Sequence, residues 1–360
     1  MGAWEDARAR LDPLDWVCGA EGGFALDYLC SPPPFATGIW ALDSGTGGLP
    51  RGEVTVLAGE AGMGKTALAC QLAYHAAMRG QRPAYVSLEM SRTKCLMRMV
   101  ACHAALHPEC LPETTEGPNS VRWGSARPNA PMRRLVGQIR ACGGSEGQLA
   151  ALARAYEGGV RSFALGDGAE LPPDPVIEAW RDMRESVEGA GGMLVADSIS
   201  SISEVCELAS AVASDGSELL VVDYAQLVRT GDSEEYDRVA TTSRELRRVA
   251  KEGGAAILVI SALRKVNGTE RKAGPSLDWL KGNNALAYDA GQVLFMLRPE
   301  LSEHERGRQG EMDVRDVDVY VAKNRNGQSG QTIPLSLDAP RNVVRSRALG
   351  AGVSDSIGAW

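Results

Sequence analysis

Long apolar runs are missing from this chain. The longest, "LLVV" at 219–222 and "AAILVI" at 255–260, fall far short of the roughly 20 residues a membrane-crossing helix needs. The first residues, "MGAWEDARARLDPLDW", hold no apolar core of the kind a secretory signal carries. Asp6 stands where a myristoylation motif needs Ser or Thr. A cytoplasmic protein with no membrane partner is expected. No C-x-x-C pair occurs among the eight cysteines, so reduced, unbridged thiols are expected. Overall positive charge is lacking too, with a formal net charge of −8. Any contact with a polyanion must therefore come from a local cluster of cations.

What is present points to an ordinary globular chain: 360 residues, 44% hydrophobic and 23% charged, enough to bury a substantial core. Residues 1–35 read as a peripheral extension with a short helix near 4–17 and a linker at "CSPPPF". From residue 36 strands and helices alternate: "EVTVLAG", "TALACQLAYHAAM", "RPAYVSLEM", "SRTKCLMRMVACHAAL". The stretch 105–190 is rich in proline and glycine, with helical pieces near 131–156 and 175–188. The alternation then resumes through "ELLVVDYAQLV", "DRVATTSRELRRVAKEGG", "AAILVISAL", "AGQVLFMLRP" and "DVDVYVAKN". This rhythm predicts an α/β fold, a mainly parallel twisted sheet with helices on both faces, the last strands being candidates for antiparallel pairing. Residues 36–345 form the expected core and 346–360 a flexible tail.

The segment "GEAGMGKT", 59–66, fits G-x-x-x-x-G-K-[ST] between a predicted strand and a predicted helix. Gly59, Gly62 and Gly64 let backbone N–H groups curl around phosphate oxygens at a helix N-terminus. Lys65 is placed to reach the β- and γ-phosphates of ATP, and the Thr66 hydroxyl to ligate Mg2+. Met63 and Ala67 complete the nucleotide-contacting set. In "LLVVDYAQL" an apolar run ends in Asp223, a strand-end carboxylate suited to the magnesium site. Glu89 in "YVSLEMS" ends another strand, where a carboxylate can polarise water for attack on phosphorus.

Three further features stand out. Lys323 and Arg325 in "VYVAKNRNGQSG" sit one residue apart, after an apolar run and before a glycine. Between 238 and 281, ten Lys or Arg face four Asp or Glu. Arg244, Arg247, Arg248 and Lys251 there read as the solvated face of a helix. "RKVNGTERKAG", 264–274, reads instead as a basic loop at the sheet's functional edge, with Arg264, Lys265, Arg271 and Lys272 as nucleic-acid contacts. Finally, Cys102, His103, His107 and Cys110 fall within "ACHAALHPEC". His103 and His107 are one helical turn apart and could face one metal. Pro108 ends the helix there and no second ligand pair follows, so the group reads as helix-end residues.

Taken in order, "GGLPRGEVTVLAGEAGMGKTALACQLA", "VSLEMS", "VVDYAQL", "SRELRRVAKEGGAAILVISALRK" and "VAKNRNGQSG" resemble the RecA-like motor domain of DnaB-type replicative helicases. The resemblance covers about residues 36–345 and is weakest over 105–190. It implies a homohexameric ring with ATP sites between subunits, translocation on single-stranded DNA, and a helicase loader or primase as possible partners. By the same resemblance Lys65 and Thr66 bind phosphate and magnesium, Asp223 supports the metal and Glu89 activates water. Lys323 and Arg325 match the pair that reaches the γ-phosphate held by the adjacent subunit.

The sequence departs from the family in three places. "SQL" reads Ser261-Ala262-Leu263, and Ala262 offers no hydrogen-bonding side chain for coupling nucleotide to DNA. The family's "DAD" reads Asp289-Ala290-Gly291. The first 35 residues are expected to be too few for the family's usual helical N-terminal domain. Two other readings stay open: a RecA-like recombinase or clock-type ATPase, and a nucleotide-gated assembly or regulatory ATPase that does not unwind DNA.

Overall fold

Nine strands, β1 (Val54–Gly59), β2 (Ala84–Ser87), β3 (Leu194–Ala196), β4 (Leu219–Asp223), β5 (Ala256–Ala262), β6 (Gln292–Leu297), β7 (Val314–Asn324), β8 (Thr332–Asp338) and β9 (Val343–Ser346), make one sheet. Their order is β3-β2-β4-β5-β1-β6-β7-β8-β9. The six from β3 to β6 in that order run parallel, and β7, β8 and β9 add on antiparallel. The computed structural model describes residues 32–112, 117–123, 130–141, 145–158, 173–232, 234–281, 285–299 and 313–347. Residues from Phe35 onward make up one structural unit. The helix expected near 4–17 and nearly all of the C-terminal tail lie outside the described residues.

The central strands are apolar runs because both faces of the sheet are covered. β1 and β4 are buried along their whole length, as parallel strands under two helical layers must be. Side chains alternate between the two sides with period two. Leu57, Leu219, Val221, Leu258 and Ile260 enter one core, while Val54, Val56, Leu220, Val222, Ile257 and Val259 enter the other.

Ten helices are described: α1 (Trp40–Thr46), α2 (Lys65–Met78), α3 (Arg92–Leu106), α4 (Ala130–Ala141), α5 (Glu146–Glu157), α6 (Pro175–Gly189), α7 (Ile202–Ser214), α8 (Glu235–Gly253), α9 (Gly268–Ala273) and α10 (Ala285–Asp289). α2, α3 and α6 cover the first core, and α7, α8 and α10 the second. Within the stretch expected to be irregular, α6 is well anchored. Asp174 caps it by accepting from the Val176 and Ile177 N–H groups, and Ala179, Met183 and Val187 pack into the core. No described helix is long and apolar enough to cross a membrane.

Parallel register brings the functional strand ends level. Ser87 pairs with Asp223, and Gly59 pairs with Ala262 on one side and Met296 on the other. The carboxyl ends of β2, β4, β5, β1 and β6 thus form one edge, where ligands bind in open α/β sheets.

The second core has a clear keystone in Phe295, fully buried and stacked on Trp279 with ring centroids 6.3 Å apart. Phe295→Ala is expected to cost about 3–5 kcal/mol of folding stability, measured by denaturant unfolding.

Candidate nucleotide site

β1 ends at Gly59 and α2 begins at Lys65, so the loop between them must reverse direction tightly. Gly64 sits at φ 99°, and a Cβ there would stand 2.6 Å from Leu337 Cδ2. A Cβ on Gly59 would stand 2.7 Å from the Met296 carbonyl oxygen. Both positions therefore require glycine. α2 has no side-chain cap at its N-terminus, so its first N–H groups and the positive end of its dipole face the loop.

The loop opens onto a cleft of about 550 Å3 whose lining includes Gly59, Gly62, Gly64, Lys65, Thr66, Ala67, Glu89 and Asp223. Met63 is buried beneath the loop, in the first core. Lys65 Nζ donates to the carbonyls of Gly59 and Glu60 at 2.7 and 2.9 Å, holding its ammonium inside the loop. Burial draws its pKa down, opposed by the charges of Asp223, Glu89 and Glu60.

Asp223 is 1% exposed. The Tyr85 hydroxyl donates to its Oδ2 at 2.8 Å, while its buried Oδ1 has no well-formed hydrogen bond. Burial pushes the carboxyl pKa up, against the lowering effect of the Tyr85 and Thr66 hydroxyls. A buried, under-satisfied carboxylate oxygen beside a threonine hydroxyl suits a hard divalent cation such as Mg2+. Glu89 stands exposed at the rim on the turn after β2. Ser87 Oγ closes that turn, donating to the Met90 carbonyl at 2.7 Å and accepting from its N–H at 3.2 Å.

Two cations that the sequence did not single out also line the cleft, Arg98 and Arg315. Arg98 lies over the Trp123 ring at 3.8 Å and donates to Asn342 Oδ1 at 2.8 Å. Arg315, from β7, donates to the Gly62 carbonyl.

Lys323 and Arg325 are not brought to this cleft. Lys323 Nζ donates to the Ala287 and Tyr288 carbonyls at 2.6 and 3.0 Å, and Arg325 to the Tyr288 carbonyl at 2.8 Å. The Arg325 N–H bonds Gly291 O, and the Gly291 N–H bonds Val54 O. Arg325 is therefore level with the start of β1, about 17 Å along the strand from Gly59 at roughly 3.3 Å per residue.

The segment 264–274 is not a plain loop. It contains α9, with Asn267 and Glu270 forming a reciprocal capping box. Arg264 pairs with Glu270 at 2.6 Å, and Arg271 pairs with Glu60 of the phosphate loop. Lys265 is exposed; the Lys272 side chain lies outside the described set. Beside Ala262 lies the buried Gln226. Its Nε2 donates to Ser261 Oγ at 2.9 Å and to the Lys281 carbonyl at 3.0 Å.

A phosphate loop on the carboxyl edge of a parallel sheet, with an acid at a neighbouring strand end, places the protein among the P-loop nucleotide-binding proteins. The family described as DnaB-like helicase C terminal domain matches residues 35–118 and 147–340, and the chain belongs to that family. The replicative DNA helicase DnaB of Haemophilus influenzae is 24% identical over 300 residues, covering 82% of this chain and 52% of that protein. The chain spans about half the length of the curated relatives it matches. Among solved structures, a DnaB-like replicative helicase, described with its interactions with primase, superposes with a TM-score of 0.62 at 16% identity, covering 92% of this chain and 67% of that one. A separately solved ATPase domain gives 0.59 at 16% identity, covering 97% of this chain and all of that one. These likenesses show a RecA-like fold.

Because burial holds the Asp223 pKa above its unfolded value near 4, its charge weighs against folding increasingly as pH rises from that value. Asp223→Asn is expected to raise the melting temperature of the nucleotide-free protein at pH 7, with the gap closing toward pH 4. The same variant is expected to lose most of the extra stabilisation that Mg2+ adds to bound nucleotide. Thermal denaturation across pH, with and without Mg2+ and nucleotide, measures both effects.

Proposed function

We propose that this protein is an ATP-driven DNA helicase of the DnaB type, hydrolysing ATP between the subunits of a ring and moving on single-stranded DNA to separate duplex. The observation that carries it is the split of charge between two ends of one sheet. Lys65, Thr66, Glu89 and Asp223 share the cleft, while Lys323 and Arg325 lie at the far end of β7. That pair cannot serve its own cleft without crossing the sheet, so it is suited to a neighbour's.

In this mechanism the loop N–H groups and Lys65 hold the phosphates of ATP in line. Glu89, exposed at the rim, accepts the proton of the attacking water as its oxygen bonds to the γ-phosphorus and ADP leaves. Thr66 and Asp223 would hold Mg2+, which would neutralise charge on the phosphates. Lys323 and Arg325 from the adjacent subunit stabilise the charge that develops on the γ-phosphoryl oxygens.

Single-stranded DNA would run past Arg264, Lys265, Arg271 and Lys272. With Ala262 unable to sense phosphate, the Arg271–Glu60 ion pair is the direct tie between the DNA-contacting segment and the phosphate loop. A homo-oligomeric ring, six subunits by family resemblance, and a loader or primase as partners complete the proposal.

Steady-state ATP turnover with and without single-stranded DNA, together with strand displacement, tests it. DNA-stimulated turnover and unwinding are expected. Turnover that ignores DNA would favour a nucleotide-gated assembly instead. Arg325→Ala is expected to lower turnover by about 10³–10⁵. Mixing it with Lys65→Ala chains should restore part of the activity, since each then supplies what the other lacks. No restoration would place the finger in its own subunit. Lys265→Ala is expected to weaken DNA binding across all sequences and to reduce the salt slope by about 1, measured by fluorescence anisotropy.

A further inference from the structure

The residues "ACHAALHPEC" have no part in nucleotide chemistry, yet the fold completes them with a distant partner. Helix α3 ends at Leu106, and a single 3-10 turn, Pro108–Cys110, follows. From α6 comes Asp182. One donor atom each from His103, Cys110 and Asp182 lie within 4.8 Å of one another, and His103 Nε2 is 2.8 Å from Asp182 Oδ2. Two donors bound to one tetrahedral zinc stand about 3.3–3.8 Å apart, given bonds of about 2.0–2.3 Å. The His103–Asp182 pair is closer than that, at hydrogen-bonding distance, and the 4.8 Å limit on the whole group includes the range.

We propose that His103, Cys110 and Asp182 form a zinc site that fastens the turn after α3 and helix α6 to the core. The donor set of one imidazole, one thiol and one carboxylate fits zinc better than magnesium or calcium, which take oxygen ligands. It also leaves the fourth position to water.

His103 anchors the cluster from the core, while Cys110 and Asp182 lie toward the surface. His103 is 1% exposed, and its other ring nitrogen, Nδ1, lies 2.9 Å from the Tyr74 hydroxyl. With Nδ1–H donating to that hydroxyl, Nε2 would be left to bind a metal in place of its bond to Asp182. His107 tilts its ring against His103 with centroids 4.9 Å apart, covering one side, and its Nε2 is buried with no hydrogen-bond partner among the described residues. Cys102, the remaining candidate, packs in the first core instead.

The test uses the full chain purified without chelator and needs no nucleotide, so its outcome is independent of the helicase proposal. Zinc content by mass spectrometry is expected to approach one per chain. Cobalt titration should give a near-ultraviolet thiolate charge-transfer band. Cys110→Ser should abolish that band, and Cys110→Ser and Asp182→Asn should each weaken zinc binding at least tenfold while circular dichroism shows the fold retained. Tyr74→Phe, which keeps the ring, should weaken it by about 10–100-fold. Zinc well below one per chain after reloading, or Cys110→Ser and Asp182→Asn chains that bind as tightly as the unaltered protein, overturns the site.

Discussion

Everything at the nucleotide cleft depends on the register of β1 between β5 and β6. Gly59 must lie level with both Ala262 and Met296, because the phosphate loop springs from that point of the sheet. A slip of one residue would turn Leu57 toward the second core and Val56 toward the first, exchanging every side chain between the two layers. The cores differ in shape, one packed by α2, α3 and α6 and the other by α7, α8 and α10. Hydrophobic packing therefore fixes the loop's position to within a residue, and the geometry of the cleft inherits that precision.

Against this scaffold Asp223 is a local cost at the cleft itself. A carboxylate with one oxygen bonded to Tyr85 and the other without a well-formed partner destabilises the empty protein. Such frustration is expected where a ligand later supplies the missing interaction. Tyr85 is its counterpart: fully buried in β2, it orients the acid from the adjacent strand. The cleft is preorganised at its floor by these two residues and adjustable at its rim, where Glu89 is exposed.

The sheet, the phosphate loop and the strand-end acids were legible in the sequence because each is a local pattern: an apolar run, a glycine spacing, a polar residue at the run's end. Long-range pairs were not. Nothing near Arg98 announces Trp123, and nothing near His103 announces Asp182, since these partners meet only once α3, the segment after it and α6 have packed. The segment 264–274 reads as a loop by its glycines and charges, although "NGTE" carries a capping signature. The short helix it starts redirects Arg264 and Arg271 onto carboxylates, which composition alone does not reveal.

The positions of Lys323 and Arg325 have a further consequence. In the proposed assembly, a subunit that accepts at one end of its sheet and donates at the other would make a head-to-tail contact, with unlike surfaces meeting at every junction. No two-fold dimer satisfies such a contact. Repetition either closes on itself or winds into an open helix, according to the rotation between successive copies. In the proposed assembly the number of subunits would then be a matter of the angle between successive copies.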